Sequence, residues 1–242
     1  MISYKSKQGY SLTVQIRFSR LLNLVKPHKT IPKTHWRADN EWDLGVSKDD
    51  LYRFLILITG LTIFGLGESM LVSSTLGNSP WVVLAEGVSN YSPFNIGEAT
   101  FLISLIVLLL WIPLKQKPGF GTLMNILIIA AAIELGLYLF PSNNEISFQI
   151  LYLFIGTALV GAGSALYLTC GLGAGPRDGL MTGFHDRTGV RVGRVRLGIE
   201  VSALSIGAIM GGTLGLGTAF YALFIGQSVA IFLGVVARHT SQ

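Results

Sequence analysis

The chain has 242 residues, half of them hydrophobic, with a mean hydropathy of +0.56 and only 13% charged residues. Soluble domains carry roughly a quarter charged residues, so this composition excludes an ordinary soluble fold and points to a membrane protein. A single cysteine excludes an intrachain disulfide, the Cys and His spacing carries no zinc or haem signature, and the net charge of +5 lacks any nucleic-acid-binding pattern beside it, so neither a cofactor nor nucleic acid is expected.

Residues 1–50 read as a polar, cytosolic N-terminal arm. Within it Tyr10, Leu12, Val14, Ile16 and Phe18 alternate with polar residues as in a strand, while Leu21, Leu22, Leu24 and Val25 suit a short amphipathic helix on the bilayer surface. Both readings stay open. Pro27 and Pro32 break whatever precedes them. Arg17 and Arg20 interrupt the early apolar stretch, so no signal peptide is expected and the first span does the targeting.

From Leu51 onward, apolar runs of about 20 residues, the length that crosses about 30 Å of hydrocarbon, recur at 51–76, 97–114, 119–140, 147–172, 195–213 and 217–237. Basic residues collect in alternate loops: Lys115 and Lys117, then Arg177, Arg187, Arg191, Arg194 and Arg196, then Arg238. The loops between hold Glu86, Glu98 and Glu145 but no Lys or Arg. The positive-inside rule then puts both termini in the cytoplasm of a bacterial inner membrane.

An internal repeat underlies this order. Gly65, Gly67, Leu76, Gly77, Pro80, Leu84, Gly87, Gly97, Gly119, Gly121 and Thr122 recur as the same residue types 96 positions later, from Gly161 to Thr218, without a gap. The expected fold is an all-α membrane protein of six spans: repeat 1 over 51–140, repeat 2 over 141–242 with a short C-terminal tail, and a short helix in the loop after the first span of each. Three spans per half, an odd number, makes the second half inverted relative to the first.

The stretch Gly171-Leu-Gly-Ala-Gly-Pro-Arg-Asp-Gly-Leu-Met-Thr-Gly183, echoed by Leu76-Gly-Asn-Ser-Pro-Trp81, resembles the YczE-like bacterial integral membrane proteins and, more loosely, the YitT-type proteins. The resemblance covers residues 50–237. The family's Leu-Gly-x-x-Pro-Trp-Asp pattern is split here, since Val82 follows Trp81 and Asp178 follows Arg177. The resemblance implies an inner-membrane location and topology more than an activity.

The two long loops supply the candidate ligand-binding residues. In each, a proline (Pro80, Pro176) can open a helix behind a cap (Ser79, Gly175). The helix start presents unpaired N–H groups and partial positive charge, Gly171, Gly173 and Gly175 let an anion approach the backbone, and Arg177 offers a planar fork for carboxylate or phosphate. The plainer alternative is a tight glycine turn in which Arg177 marks the cytosolic side and Asp178 neutralises it or caps the helix. Trp81 reads as an interfacial anchor or a lid.

Glu68, Glu134 and Glu200 fall inside spans, where carboxylates are expensive. Glu68 and Glu134 lie at similar depth and could share a proton or a cation, whereas Glu200 is expected to pair with Arg196 at i, i+4. Gln227 interrupts the last span and faces either the same cavity or a neighbouring helix, and Gly207, Gly211 and Gly215 suggest a close-packing face. His185 beside Asp186 reads as solvated.

The leading expectation is a transporter or channel for a small solute, anionic or amphoteric. Its partners are that solute and the lipid bilayer, with a second copy or a membrane partner protein left open. The alternative is a scaffold or accessory protein acting through its arm. No enzyme is expected, because no nucleophile and base, nor a carboxylate pair with metal ligands, are arranged for catalysis.

Overall fold

The structure is a computed structural model and describes residues 31, 32, 34 and 48–240. The strand-like segment over residues 10–18, the surface helix over 21–25 and most of the 1–50 arm lie outside the described residues.

From residue 48 the described chain is helical: α1 (Lys48–Ser74), α2 (Pro80–Asn90), α3 (Ile96–Leu109), α4 (Trp111–Leu114), α5 (Phe120–Leu139), α6 (Ile146–Cys170), α7 (Pro176–Thr188), α8 (Val192–Ile209) and α9 (Leu216–Thr240). Leu51–Ser74, Ile96–Leu114, Phe120–Leu139, Ile146–Cys170 and Leu216–Thr240 are long and apolar enough to cross a membrane. The chain is therefore an all-helical membrane protein. The run expected at 195–213 differs from these five: its helix, α8, ends at Ile209 and carries Arg194, Arg196 and Glu200, which dilute its apolar character.

Both short loop helices form as expected. Pro80 and Pro176 are their first residues, behind Ser79 (φ −62°, ψ 151°) and Gly175 (φ −60°, ψ 158°) in extended conformation. Proline fits there because a first-turn N–H has no intrahelical partner anyway. α3 starts on a reciprocal capping box, with Glu98 N donating to Asn95 Oδ1 at 2.7 Å and Asn95 N donating to Glu98 Oε2 at 3.0 Å.

α1 and α6 pack along each other and form the centre. α5 lies on α1, α9 on α6, α2 on α8, and α3 on both α5 and α7. The α1–α6 approach depends on two glycine contacts. A Cβ on Gly60 would lie 2.9 Å from Tyr167 N, and one on Gly67 would lie 2.7 Å from Val160 N and 2.8 Å from Gly156 O. Gly163 faces Gly60 O and Phe64 N, and Gly156 faces Gly67 O, just as closely. Small residues that let backbones touch are the usual device for helix packing in lipid, where no hydrophobic drive remains between helices.

The ends of α1 and α6 turn alike. Thr75 (φ +56°) and Gly171 (φ +63°) leave the helices in the left-handed region, and Gly77 (φ +123°) and Gly173 (φ +125°) take a conformation only glycine adopts without strain. Each loop then docks on the other half: Gly217 N donates to Leu76 O at 2.8 Å, and Gly121 N to Leu172 O at 2.7 Å. Arg53, buried in α1, donates from Nε to Cys170 O at 2.6 Å and from Nη2 to Gly171 O at 3.3 Å, putting positive charge on the otherwise unpaired carbonyls that end α6.

Glu86 on α2 fastens the loop between α8 and α9. Its Oε2 accepts from Asn78 Nδ2 and from Thr213 N, each at 2.7 Å, and its Oε1 accepts from Thr213 Oγ1 at 2.6 Å. The expected glycine face at 207, 211 and 215 is not a single helix face. Gly207 meets Leu84 of α2, but Gly211 (φ +79°) sits in the turn after α8 and Gly215 packs on Leu76 O before α9 begins.

Gly163→Ala forces its methyl group against the Gly60 carbonyl and should destabilise the protein by about 1–3 kcal/mol, the usual cost of overpacking. Gly198→Ala, with open space at its Cβ, should leave the thermal midpoint in detergent unchanged or raised. Glu86→Ala strands the Thr213 N–H and the Asn78 amide and should lower stability by about 1–3 kcal/mol, read as a lower midpoint with faster proteolysis in the 210–215 loop.

Candidate functional site

The first turns of α2 and α7 meet. Trp81 and Arg177 are each the second residue of their helix and stand 96 positions apart. The Arg177 guanidinium carbon lies 4.9 Å from the Trp81 ring centroid, within cation–π range. Trp81 is buried, so it is not the interfacial anchor its composition suggested. The guanidinium above it replaces the headgroup layer as the polar partner of its ring.

Beside this contact, between α8 and α9, lies a cavity of about 190 Å³, smaller than the roughly 300–1,000 Å³ of pockets for drug-sized ligands. Ser79, Ser164, Tyr167, Arg177, Asp178, Arg196, Glu200 and Tyr221 are among its polar lining residues, and Phe64, Val160, Leu168, Ile199 and Ile225 among its apolar ones. Most of the charges are engaged. Arg196 Nε and Glu200 Oε1 are 2.9 Å apart, the i, i+4 pair expected for Glu200. Tyr167 Oη donates to Asp178 Oδ2 at 2.9 Å, so Asp178 neither caps α7 through its side chain nor pairs with Arg177. Among the described residues no carboxylate lies within salt-bridge reach of Arg177.

Glu68 lies behind Ser79. It is fully buried on α1, and its Oε2 accepts from Ser79 Oγ at 2.7 Å. Its Oε1, and Asn78 Oδ1 on the residue before Ser79, are buried oxygens that meet no donor among the described residues.

A second cavity of about 40 Å³ lies between α3 and α5. Its lining matches that of the first at positions 96 residues apart. Thr100 and Ser104 stand where the larger has Arg196 and Glu200, Asn125 and Ile129 where it has Tyr221 and Ile225, and Gly175, Pro176 and Arg177 where it has Ser79, Pro80 and Trp81.

The structure thus brings Ser79, Pro80, Trp81, Arg177 and Asp178 to one cavity, Glu68 directly behind it, and Gly175 and Pro176 to the smaller one. It does not bring Gly173, Glu134 or Gln227 there. Gly173 packs on Gly119 and Thr122 at the crossing of the loop with α5. Gln227 is on an exposed face of α9. Glu134 is not a partner of Glu68: its Oε1 accepts from Gly97 N at 2.7 Å in the first turn of α3, where an unpaired helix N–H attracts a carboxylate. Equal depth along two helices did not imply a common face. His185 is half-buried, with Nδ1 2.8 Å from Val190 O, and Asp186 accepts from Gln116 Nε2 at 3.1 Å.

Sequence reasoning passed over Tyr167, Tyr221, Asn78 and Arg53. The two tyrosines look like ordinary apolar-span residues. Only the repeat offset hinted at Tyr221, because its equivalent is the polar Asn125. Arg53 was legible as a charge inside the first run and was not weighed.

Residues 51–234 match the model of a family described as a family of unknown function, DUF6198. A Haemophilus influenzae protein named "Uncharacterized protein" is 40% identical over 216 residues, covering 89% of this chain and 96% of that one. The Bacillus subtilis "Uncharacterized membrane protein YczE" is 31% identical over 199 residues, covering 78% of this chain and 93% of the relative. A second B. subtilis relative, "Uncharacterized protein YyaS", is 28% identical over 184 residues, 74% of this chain and 92% of its own length. No solved structure matches the chain. With the family match spanning most of its helices and a membrane relative aligned over nearly its whole length, the chain belongs to the YczE-like family of membrane proteins.

Proposed function

We propose that the chain is a six-span transporter or channel of the bacterial inner membrane with both termini cytoplasmic. In this reading residues 51–140 and 141–242 form two inverted repeats, and a small anionic or amphoteric solute binds beside Arg177. The assigned work is binding and passage, not catalysis.

The observation that carries this reading is the pair of cavities at equivalent positions, one of about 190 Å³ and the other of about 40 Å³. Two related halves with cavities of unequal size at equivalent positions are in keeping with alternating access about a pseudo-two-fold axis. The reciprocal Gly217–Leu76 and Gly121–Leu172 bonds and the Trp81–Arg177 contact between equivalent positions support the same axis.

α8 is the sixth span of this proposal. Its Arg196 and Glu200 line the cavity, as charged groups in a span are expected to do, so their presence is compatible with crossing. At the site itself, the first turn of α7 offers positive partial charge, and Arg177 offers a fork not yet occupied by a carboxylate.

Topology is tested by single cysteines in a background where Cys170 is buried. Cysteine at Asn144 or Leu214 should react with an impermeant thiol reagent from outside intact cells, and cysteine at Lys117 or Arg187 should not. Labelling of both pairs from one face overturns the six-span arrangement.

For the site, Arg177→Ala should weaken binding of small carboxylates by about 1.5–3 kcal/mol, the range for hydrogen bonds to charged groups. Arg177→Lys should restore only part of it, because a point charge lacks the fork. Arg187→Ala is the control and should bind like wild type. Equal carboxylate affinity in wild type and Arg177→Ala, measured by titration calorimetry in detergent, sinks the assignment.

A further inference from the structure

The cavity charges do not balance, and the imbalance specifies what must accompany an anion. Arg177 and Arg196 face three carboxylates: Asp178 and Glu200 on the cavity wall and Glu68 behind Ser79. Asp178 holds the Tyr167 hydroxyl and Glu200 holds Arg196. Only the second of these is an ion pair, since the Tyr167 hydroxyl is neutral, so Arg177 is the guanidinium outside an ion pair and Glu68 and Asp178 are the carboxylates outside one. The Arg177 guanidinium also attracts the Glu68 carboxylate.

Glu68 is built for a proton. It is fully buried, only one of its oxygens has a donor, and Oε1 is an orphan. A buried charged oxygen without a hydrogen bond is costly, and protonating Oε1 removes the charge without disturbing the Ser79 bond to Oε2. Charged and titratable groups stand around it on the neighbouring helices. From α7 it faces Arg177, and from α9 Tyr221. On α6, Tyr167 is tied to Asp178 of α7; on α8, Arg196 and Glu200 hold each other; on α5, Glu134 is held by the Gly97 amide.

Resting on the transport reading above, we propose that Glu68 is a proton-binding site coupled to the cavity, and that the solute is a small organic monocarboxylate taken up together with one proton. A proton from solution adds to Glu68 Oε1, and no other bond is made or broken. With Glu68 ionised, the three carboxylates already exceed the two guanidiniums by one charge, and an incoming carboxylate adds a second unbalanced negative charge in a poorly solvated site. With Glu68 protonated, Arg177 is released to the carboxylate, and the site carries the same net charge loaded as it did empty and ionised. One free guanidinium suits one carboxylate, and the Phe64, Leu168 and Ile225 walls suit a short apolar body rather than a polyanion.

The test is calorimetry on the full-length protein in detergent with lactate and with alanine, which share a skeleton but differ in the ammonium group. Lactate should bind more tightly toward acid pH, by about tenfold per pH unit where Glu68 is ionised in the empty protein. Titrations in buffers of different ionisation heats should show close to one proton taken up per lactate. Glu68→Gln should keep the acid-side affinity and lose both the pH slope and the proton uptake, while Glu134→Gln should keep both. Independently of any ligand, difference infrared spectroscopy of the wild type should show a protonated-carboxyl band that disappears in Glu68→Gln, which secures the assignment even if the variant binds poorly. Lactate binding with no pH slope and no proton uptake overturns the coupling but leaves the anion site standing, and so does tighter, pH-independent binding of alanine. Binding of neither compound overturns the solute-site reading and this inference with it.

Discussion

Backbone contact between α1 and α6 is the constraint on which the other elements depend. With glycines at 60, 67, 156 and 163 the two axes come close enough for carbonyls and amides of one helix to face α-carbons of the other. Dispersion and lipid exclusion, the forces available to helices in a bilayer, then act over the whole crossing. The two pairs are also related: Gly60 and Gly163 become Gly156 and Gly67 when each number is moved by 96 to the other half. The crossing therefore maps onto itself. The loops that follow α1 and α6 are consequently delivered to matching places, where a carbonyl of each accepts a hydrogen bond from the other half's last helix and a short proline-started helix leads toward its counterpart.

That delivery explains why the site sits where it does. Positions 81 and 177 touch because they are equivalent points on either side of the crossing, and identical residues there would make an identical pair. The chain has a tryptophan and an arginine instead, whose contact is favourable because a ring face attracts a cation. Two arginines at that separation would repel in a low dielectric, and two tryptophans would leave no charge for a ligand. The same reasoning applies to Ser79 and Gly175: only the serine has a hydroxyl to give Glu68, so only one half acquires the buried carboxylate's partner.

Much of the helix order was readable because its causes are local. Apolar length, prolines at 80 and 176, and the ungapped 96-residue offset each depend on residue type and spacing alone. Side-chain partnership within one helix was readable, as for Arg196 and Glu200, but partnership between helices was not. Glu68 and Glu134 share depth and chemistry, yet one faces Ser79 and the other a helix N-terminus, because the rotation of each helix about its axis is set by packing that depth does not report. Arg177 and Asp178 were rightly drawn to one place, but the partner of Asp178 is a tyrosine from α6, 11 positions earlier in the chain. Glu86, expected in a loop without Lys or Arg, ties Asn78 and the turn between α8 and α9 together through three hydrogen bonds, a role that depends on residues more than 120 positions away.

The unequal cavities carry a further physical consequence on the transport reading. Closing the larger one requires α8 to move onto α9, as α3 already lies against α5, and this would bury Arg196 and Glu200. A lone charge carried into that contact would be prohibitive, but these two are bonded one turn apart on the same helix, so they move as a neutral unit whose internal bond the motion does not break. The equivalents at the smaller cavity are Thr100 and Ser104, and Thr100 satisfies its hydroxyl on Ile96 O of its own helix. Arg196, Glu200 and Thr100 thus share one feature, a polar group paired within its own helix that a movement of the helix leaves intact. The group without such a self-contained partner is Arg177, and its environment is the one that a bound carboxylate or an ionised Glu68 would change. Of the four residues that line both cavities, Phe64, Tyr167, Arg177 and Asp178, Arg177 is the cation, so on the transport reading a change of charge beside it bears on both cavities at once.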